Sequence, residues 1–308
     1  MGFHPENRLV VGLSSVEKNL VLSCFPKGSK IIESKFFNNY NLPCPIKVRI
    51  QLPNKKIENV VLRKSRNGDV RKEAEILKSL KNLHLPVPKV LHDAQKINNQ
   101  EYASVLEYIK GTNLQYFSMR SKKNIKKAKD LLFDAIMRMA ELTYKIKKCN
   151  LSKDLIEKTL ISQLDEIKNS KPWNSESLFK ESVKKLEPIL KNIDMPLIFT
   201  NGDYQPANFI TNGKEIVGLL DFDKACFQDL LIGITKFPIY GLRPLNKAGF
   251  VKKFIKETGF TEKEFMPRLA LGCLITLQKE IPVKYGNKET INYRKHVIKL
   301  LKKSLNEI

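Results

Sequence analysis

The chain has 308 residues, is 42% hydrophobic and 28% charged, and carries a formal net charge of +23. This composition can bury a full core and excludes a disordered chain, and the length suits two lobes. No apolar run approaches the roughly eighteen residues of a membrane span, "LALGCLITL" (269–277) being among the longest, so neither a membrane-spanning helix nor a membrane partner is expected.

The N-terminal "MGFHPENRLV" has no basic-then-apolar signal, and Glu6 stands where a myristoylation site needs Ser or Thr. A cytoplasmic protein is expected. "KIIESKFF" and "PIKVRIQL" read as strands separated by "NNYNLPC", and the turn "PNKK" leads to a third strand, "IENVVLRKS". "DVRKEAEILKSLKN" (69–82) reads as a helix capped by Asp69 and stopped by the prolines of "HLPVPKVL". "YASVLEYIKG" reads as a strand closing at Gly111.

From about residue 112 the texture turns helical. "KNIKKAKDLLFDAIMRMAELTYKIKK", "KDLIEKTLISQLDEIKN" and "SESLFKESVKKLEPILKNI" all have helical periodicity. After residue 229 the chain again reads as helix, ending in "INYRKHVIKLLKKSL" with Ile291, Ile298, Leu301 and Leu305 on a packing face and its lysines in solvent. The expected fold class is therefore α+β. A β-rich lobe over 1–110 precedes a mostly helical lobe over 111–308.

Five scattered cysteines (Cys24, Cys44, Cys149, Cys226, Cys273) form no CxxC and read as reduced thiols. Four histidines (His4, His84, His92, His296) lie away from any nucleophile motif, which weakens a Ser-His-Asp or Cys-His hydrolase. No Walker P-loop and no GxGxxG occurs. The positive charge, densest in "RSKKNIKKAK" (120–129), attracts polyanions.

The segment "TNGDYQPANF" (200–209) stands between apolar runs. Asn212-Gly213 after it reads as a type I′ hairpin turn, with Thr211 paired to Lys214. Extending that register sets Asp221 opposite Tyr204 and so beside Asp203, with Asn208 on the strand leaving the same loop. Three oxygen-bearing side chains converging there suit a hard divalent cation, with a spare carboxylate to take a hydroxyl proton. The separation of Asp203 from Asn208 equals that between base and metal ligand in the kinase loop H-R-D-x-x-x-x-N, and Asp221 opens "DFD" where a kinase has "DFG". On the helix, Glu73 shares the inward face of Val70, Ala74 and Leu77 and needs a cation. Arg63 or Lys64 on the preceding strand could supply it, and alternation alone does not choose between them.

"FTNGDYQPANFITNGKEIVGLLDFDKA", together with "VVLR…VRKEAEILKSLKNLHLPVPKVL" and "ASVLEYIKG", resembles the aminoglycoside phosphotransferase and choline kinase-like family. The resemblance covers about residues 55–115 and 195–235. It implies the bilobal protein-kinase-like fold with ATP between the lobes, GTP being the other candidate. It further implies Asp203 as catalytic base, Asn208 and Asp221 as Mg²⁺ ligands, and Arg63 held by Glu73 against the phosphates. Glu107, Tyr108 and Ile109 fall on the hinge that receives adenine. This chain departs from the family at Asn201, where a brace-forming His is usual, and at the glycine-free loop 38–44. It departs again after "DFD", where Asp229 fits the first acidic position and Gly233 occupies the later one.

The expected function is an ATP- and Mg²⁺-dependent kinase acting on a hydroxyl of a small molecule. Residues 229–308 hold sixteen Lys and Arg against seven Asp and Glu, a net charge of +9, which tilts the acceptor towards a neutral or anionic compound. The alternatives are a pseudokinase or nucleotide-binding regulator, and a basic nucleic-acid binder on the same scaffold.

Overall fold

The computed structural model describes residues 10–37, 45–65, 69–149, 151, 153, 155–170, 176–279 and 288–308. The N-terminal part runs α1 (Ser15–Leu22), β1 (Lys30–Phe36), β2 (Ile46–Gln51), β3 (Ile57–Ser65), α2 (Asp69–Asn82), β4 (Val90–Lys96), β5 (Tyr102–Glu107) and β6 (Thr112–Asn113). There follow α3 (Leu114–Met119), α4 (Lys122–Glu141), α5 (Thr143–Lys147), β7 (Ile156–Lys158), α6 (Leu160–Lys168), α7 (Ser177–Lys191) and β8 (Ile198–Thr200). The last stretch is β9 (Phe209–Thr211), β10 (Ile216–Leu219), β11 (Cys226–Gln228), α8 (Leu230–Ile234), α9 (Lys236–Tyr240), α10 (Phe250–Thr258), α11 (Glu262–Lys279) and α12 (Lys288–Asn306).

The chain forms two compact units, Met1–Thr112 with Phe209–Asp223, and Asn113–Asn208 with Lys224–Ile308. In the first, an antiparallel sheet has the order β1-β2-β3-β5-β4. Alternation in β2 buries Ile46, Val48 and Ile50, which pack with Val60, Leu62, Ala103 and Val105 of the neighbouring strands and with Leu20 and Val21 of α1. Helix α2 has the expected bounds and buries Val70, Ala74 and Leu77 together with Glu73. The cap expected of Asp69 and the loop 38–44 lie outside the described side chains and residues.

Two elements of this unit were not anticipated. Helix α1 starts at a capping box, in which Glu17 N donates to Ser14 Oγ at 3.2 Å and Ser14 N to Glu17 Oε2 at 2.7 Å. Strand β4 is an irregular edge strand with two register shifts against β5. The β9–β10 hairpin corrects an expectation. Thr211 pairs with Ile216, not Lys214, and the ladder continues through Ile210–Gly218 and Phe209–Leu219 after a bulge. Side chains favour the wider loop: Asn212 Oδ1 accepts from Lys214 N at 2.8 Å and Glu215 N at 3.0 Å, while Thr211 Oγ1 donates to Glu215 O at 2.7 Å.

In the second unit helices dominate. Helix α11 buries Leu269, Ala270, Leu271, Cys273, Leu274 and Leu277, so the apolar run 269–277 is a core helix. A small sheet has the order β7-β11-β8, with β11 parallel to β7 and antiparallel to β8. Residues Ile156–Lys158 are thus a strand, where periodicity suggested that a helix began at Lys153; the helix α6 starts only after its Thr159 cap. The buried face of α12 is Val297, Leu301 and Ser304, and Ile291 is exposed, so the expected packing face is rotated. Of the described cysteines, Cys226 and Cys273 are buried, Cys24 and Cys149 half-buried, and all four stand outside any disulfide. Among the described residues no helix is long and apolar enough to cross a membrane.

Candidate active site

Strand β3 carries two adjacent cations that point to opposite faces, and each finds a different acid. Arg63 Nε donates to Glu73 Oε2 at 3.0 Å, and its Nη2 to Asp221 Oδ1 at 2.9 Å. Lys64 Nζ pairs instead with Glu17 at 2.9 Å, on the α1 side of the sheet. The ambiguity left by alternation is thus settled by the position of the two carboxylates. Burial alone pulls the Arg63 guanidinium down, but the Glu73 and Asp221 carboxylates outweigh it and hold the group well above its ordinary value.

Glu73 is only 4% exposed, and it spends its second oxygen as well: Oε1 accepts from Phe222 N at 3.2 Å. One carboxylate thereby ties β3, α2 and the Asp221–Phe222 segment. Asp221 itself sits at φ +63°, a left-handed conformation that costs energy in a residue with a Cβ. The Arg63 bond at its side chain and the Glu73 bond at the next amide hold it there.

The hinge residues lie just after β5. Glu107 N donates to Lys89 O at 2.8 Å, and Glu107 Oε2 accepts from Lys89 N at 3.0 Å, so the Glu107 amide is committed to its own sheet. The Tyr108 ring stacks on Phe37 with centroids 6.1 Å apart, and Lys47 Nζ stands 4.5 Å above it. Ile109 packs on the backbone of Gly218 in β10.

Asp203, Asn208 and their supports belong to the second unit. After β8 the backbone turns at Gly202, with φ +77°; a Cβ there would come within 2.3 Å of Lys224 O, so only glycine fits. Asn201, 1% exposed, brackets the next residue: its Oδ1 accepts from Asp203 N at 3.1 Å and its Nδ2 donates to Asp203 O at 3.0 Å. Asn201 therefore does the bracing expected of the usual His. Residues Pro206–Asn208 form one 3-10 turn that brings Asn208 back, and its Nδ2 donates to the same Asp203 O at 3.1 Å. That bond uses the nitrogen of the Asn208 amide and leaves its oxygen out of the contact.

The Asp203 carboxylate is held through one oxygen. Oδ1 accepts from Gln205 N at 3.3 Å and from Lys236 Nζ at 3.0 Å, and Lys236 also donates to Gly202 O at 3.1 Å. Lys236 was not found from sequence; nothing marks it among sixteen basic residues in 229–308. The following residue, Tyr204, is fully buried, and a Cβ at Gly233 would lie 2.6 Å from its ring. Gly233 stands at the later acidic position because the Tyr204 ring occupies the space. Asp229 caps α8 through Leu231 N (2.9 Å) and Ile232 N (3.1 Å) and is gripped by Arg268, Nη2–Oδ2 2.7 Å. Arg268, directly before the apolar run of α11, was also missed, although an arginine buried there demands a buried acid.

The predicted residues thus fall into two clusters, Arg63–Glu73–Asp221 in the first unit and Asp203–Asn208 in the second. The donors fit a hard cation, being a carboxylate and an amide oxygen.

Comparison with known proteins agrees with this chemistry. The family described as "Phosphotransferase enzyme family" (APH) matches residues 47–239. No curated protein matches. Among solved structures, a thermostable mutant of aminoglycoside phosphotransferase APH(4)-Ia in ternary complex with ADP and hygromycin B is similar with a TM-score of 0.67 at 10% identity, covering 94% of this chain and 98% of that one. LicA in complex with AMP is similar with a TM-score of 0.59 at 15% identity, over 93% and 97% of the two chains. The GDP and kanamycin complex of an APH(2")-type enzyme gives 0.62 at 13% identity, over 93% and 97%. These likenesses show the protein-kinase-like fold, and the family match spans well over half of the chain. The chain belongs to the phosphotransferase enzyme family, as a small-molecule kinase that draws its phosphoryl group from a nucleotide.

Proposed function

We propose that the chain transfers the γ-phosphoryl group of ATP to a hydroxyl of a small molecule, with Asp203 as the base. The observation that carries this is the bracket around Asp203. Its backbone is fixed on both sides by Asn201, and one carboxylate oxygen is held by Gln205 N and Lys236. Among the described residues Oδ2 has no such partner, and it is the atom offered to the acceptor hydroxyl. In the transfer, the acceptor oxygen bonds to the γ-phosphorus as the bond to the β–γ bridging oxygen breaks. The hydroxyl proton passes to Asp203, and ADP leaves with the electron pair.

Arg63, fixed by Glu73, offers its remaining Nη1 edge to the phosphates, and the backbone at Tyr108 and Ile109 receives the base. The Glu107 amide is not available for that contact because Lys89 O accepts from it. Asp221 and the Asn208 oxygen would hold Mg²⁺, which supplies neutralisation of phosphate charge. ATP is the donor on this reading and GTP the other candidate. The division of labour assigns the nucleotide to residues 1–110 and the acceptor to the helical remainder. The reduced thiols and the nucleotide requirement favour the cytoplasm. A regulatory nucleotide binder and a nucleic-acid binder gain no support from these observations.

The test is Asp203→Asn, assayed by Mg²⁺-dependent ADP formation against a panel of sugars, alcohols and aminoglycosides. Turnover should fall at least about a hundredfold with nucleotide affinity retained. Turnover equal to wild type would refute the role of Asp203.

A further inference from the structure

We propose that Lys236 is a positioning residue for Asp203 that also sets the acceptor class: a hydroxyl compound bearing a phosphate or carboxylate, not a polycationic aminoglycoside. The inference rests on the kinase reading above and names the substrate class of that same site.

The position of this ammonium is built. Lys236 begins α9, directly after α8 and Thr235, and α8 is locked at two points. Its cap Asp229 is gripped by Arg268, and its Gly233 lies against the ring of Tyr204, the residue after Asp203. Gly233 and Lys236 are three residues apart, so the packing that seats α8 on the catalytic loop also delivers Lys236 to Asp203 Oδ1 and Gly202 O. The Lys236 side chain remains 26% exposed, against 12% for that of Asp203.

Two consequences follow from this geometry. With Oδ1 committed to Lys236 and Gln205 N, the carboxylate cannot rotate freely, and Oδ2 is aimed. An acceptor hydroxyl on Oδ2 then lies on the order of 6–8 Å from the Lys236 charge, a distance at which like charges repel measurably at a protein surface. The one acid in the described Lys236 contacts is Asp203, and the proton taken from the acceptor hydroxyl neutralises it, so the ammonium groups of an aminoglycoside would meet an uncompensated lysine as the phosphoryl group moves. A phosphate or carboxylate brings the opposite sign.

The experiment compares wild type, Lys236→Arg, Lys236→Gln and Lys236→Glu with glucose, glucose 6-phosphate, D-glycerate and kanamycin as probes. ADP formation gives kcat and KM, and titration with a non-hydrolysable ATP analogue reads nucleotide binding. For wild type, turnover is expected with at least one anionic probe and about tenfold or more below it with kanamycin. Lys236→Gln should raise KM for the anionic probe and lower kcat, each about tenfold, at unchanged nucleotide affinity. Lys236→Arg should recover most of the loss, and Lys236→Glu should shift the ratio towards kanamycin. A wild type that prefers kanamycin or glucose to both anionic probes, or that turns over neither anionic probe, overturns the inference. So does a preference unchanged in Lys236→Glu. Failure of the kinase reading looks different: no nucleotide binding and no Mg²⁺-dependent ADP formation with any probe, kanamycin included.

Discussion

Arg268 holds Asp229 inside the second unit through three contacts, Nε to both carboxylate oxygens at 3.0 and 2.9 Å and Nη2 to Oδ2 at 2.7 Å, with both side chains almost fully buried. Breaking such a pair strands one charge in the interior. Arg268→Ala should cost about 3–5 kcal/mol, read as a lower urea midpoint. The double variant Arg268→Met with Asp229→Asn should recover part of the loss, since no bare charge remains.

Gly233 makes a second stability prediction. Gly233→Ala places a methyl group 2.6 Å from the Tyr204 ring, and the fully buried ring has nowhere to retreat. A loss of about 1–3 kcal/mol is expected, together with a lower kcat, because Tyr204 is contiguous with Asp203. Thermal unfolding and steady-state assays on the same preparation check both.

Arg63 bonds two carboxylates from different nitrogens, which a single ammonium cannot copy in the same geometry. Arg63→Lys should raise KM for ATP about tenfold with a smaller change in KM for the acceptor. Equal changes in both would place Arg63 away from the phosphates.

The Lys64–Glu17 pair predicts a pH dependence. Burial pushes the Glu17 carboxyl up, but the Lys64 and Ser14 contacts outweigh it and leave the group below its ordinary value of 4.5. A carboxyl depressed in the folded state stabilises above its unfolded value, and that contribution disappears as pH falls through the folded one. Wild type should thus be more stable than Glu17→Gln near neutral pH, and the gap in melting temperature should close as pH falls below 4.5.

Much of this architecture was legible in the sequence because it rests on local signals. The period-2 pattern of β2 and the apolar face of α2 gave their bounds to within a residue. The spacing of Asp203 and Asn208 singled out the loop. What failed depended on competition between local options or on distant partners. Asn212-Gly213 invited a two-residue turn, yet the side chains of Thr211 and Asn212 satisfy a four-residue loop better. Residues 156–158 pair with β11, about seventy residues away, so periodicity could not reveal the strand. Helix α1 was legible in principle, since Ser14 and Glu17 have the capping-box spacing. Lys236 carries no local mark at all: only the seating of α8 on Tyr204 brings it to Asp203.

The bridging of Glu73 has a mechanical consequence. Because one buried carboxylate serves Arg63 with one oxygen and the Phe222 amide with the other, α2 cannot withdraw by a few ångström and release only one of them. Any excursion of the helix would free the guanidinium and relax the strained Asp221 backbone in the same movement, so a displaced helix and an intact Arg63–Glu73–Asp221 cluster are mutually exclusive states.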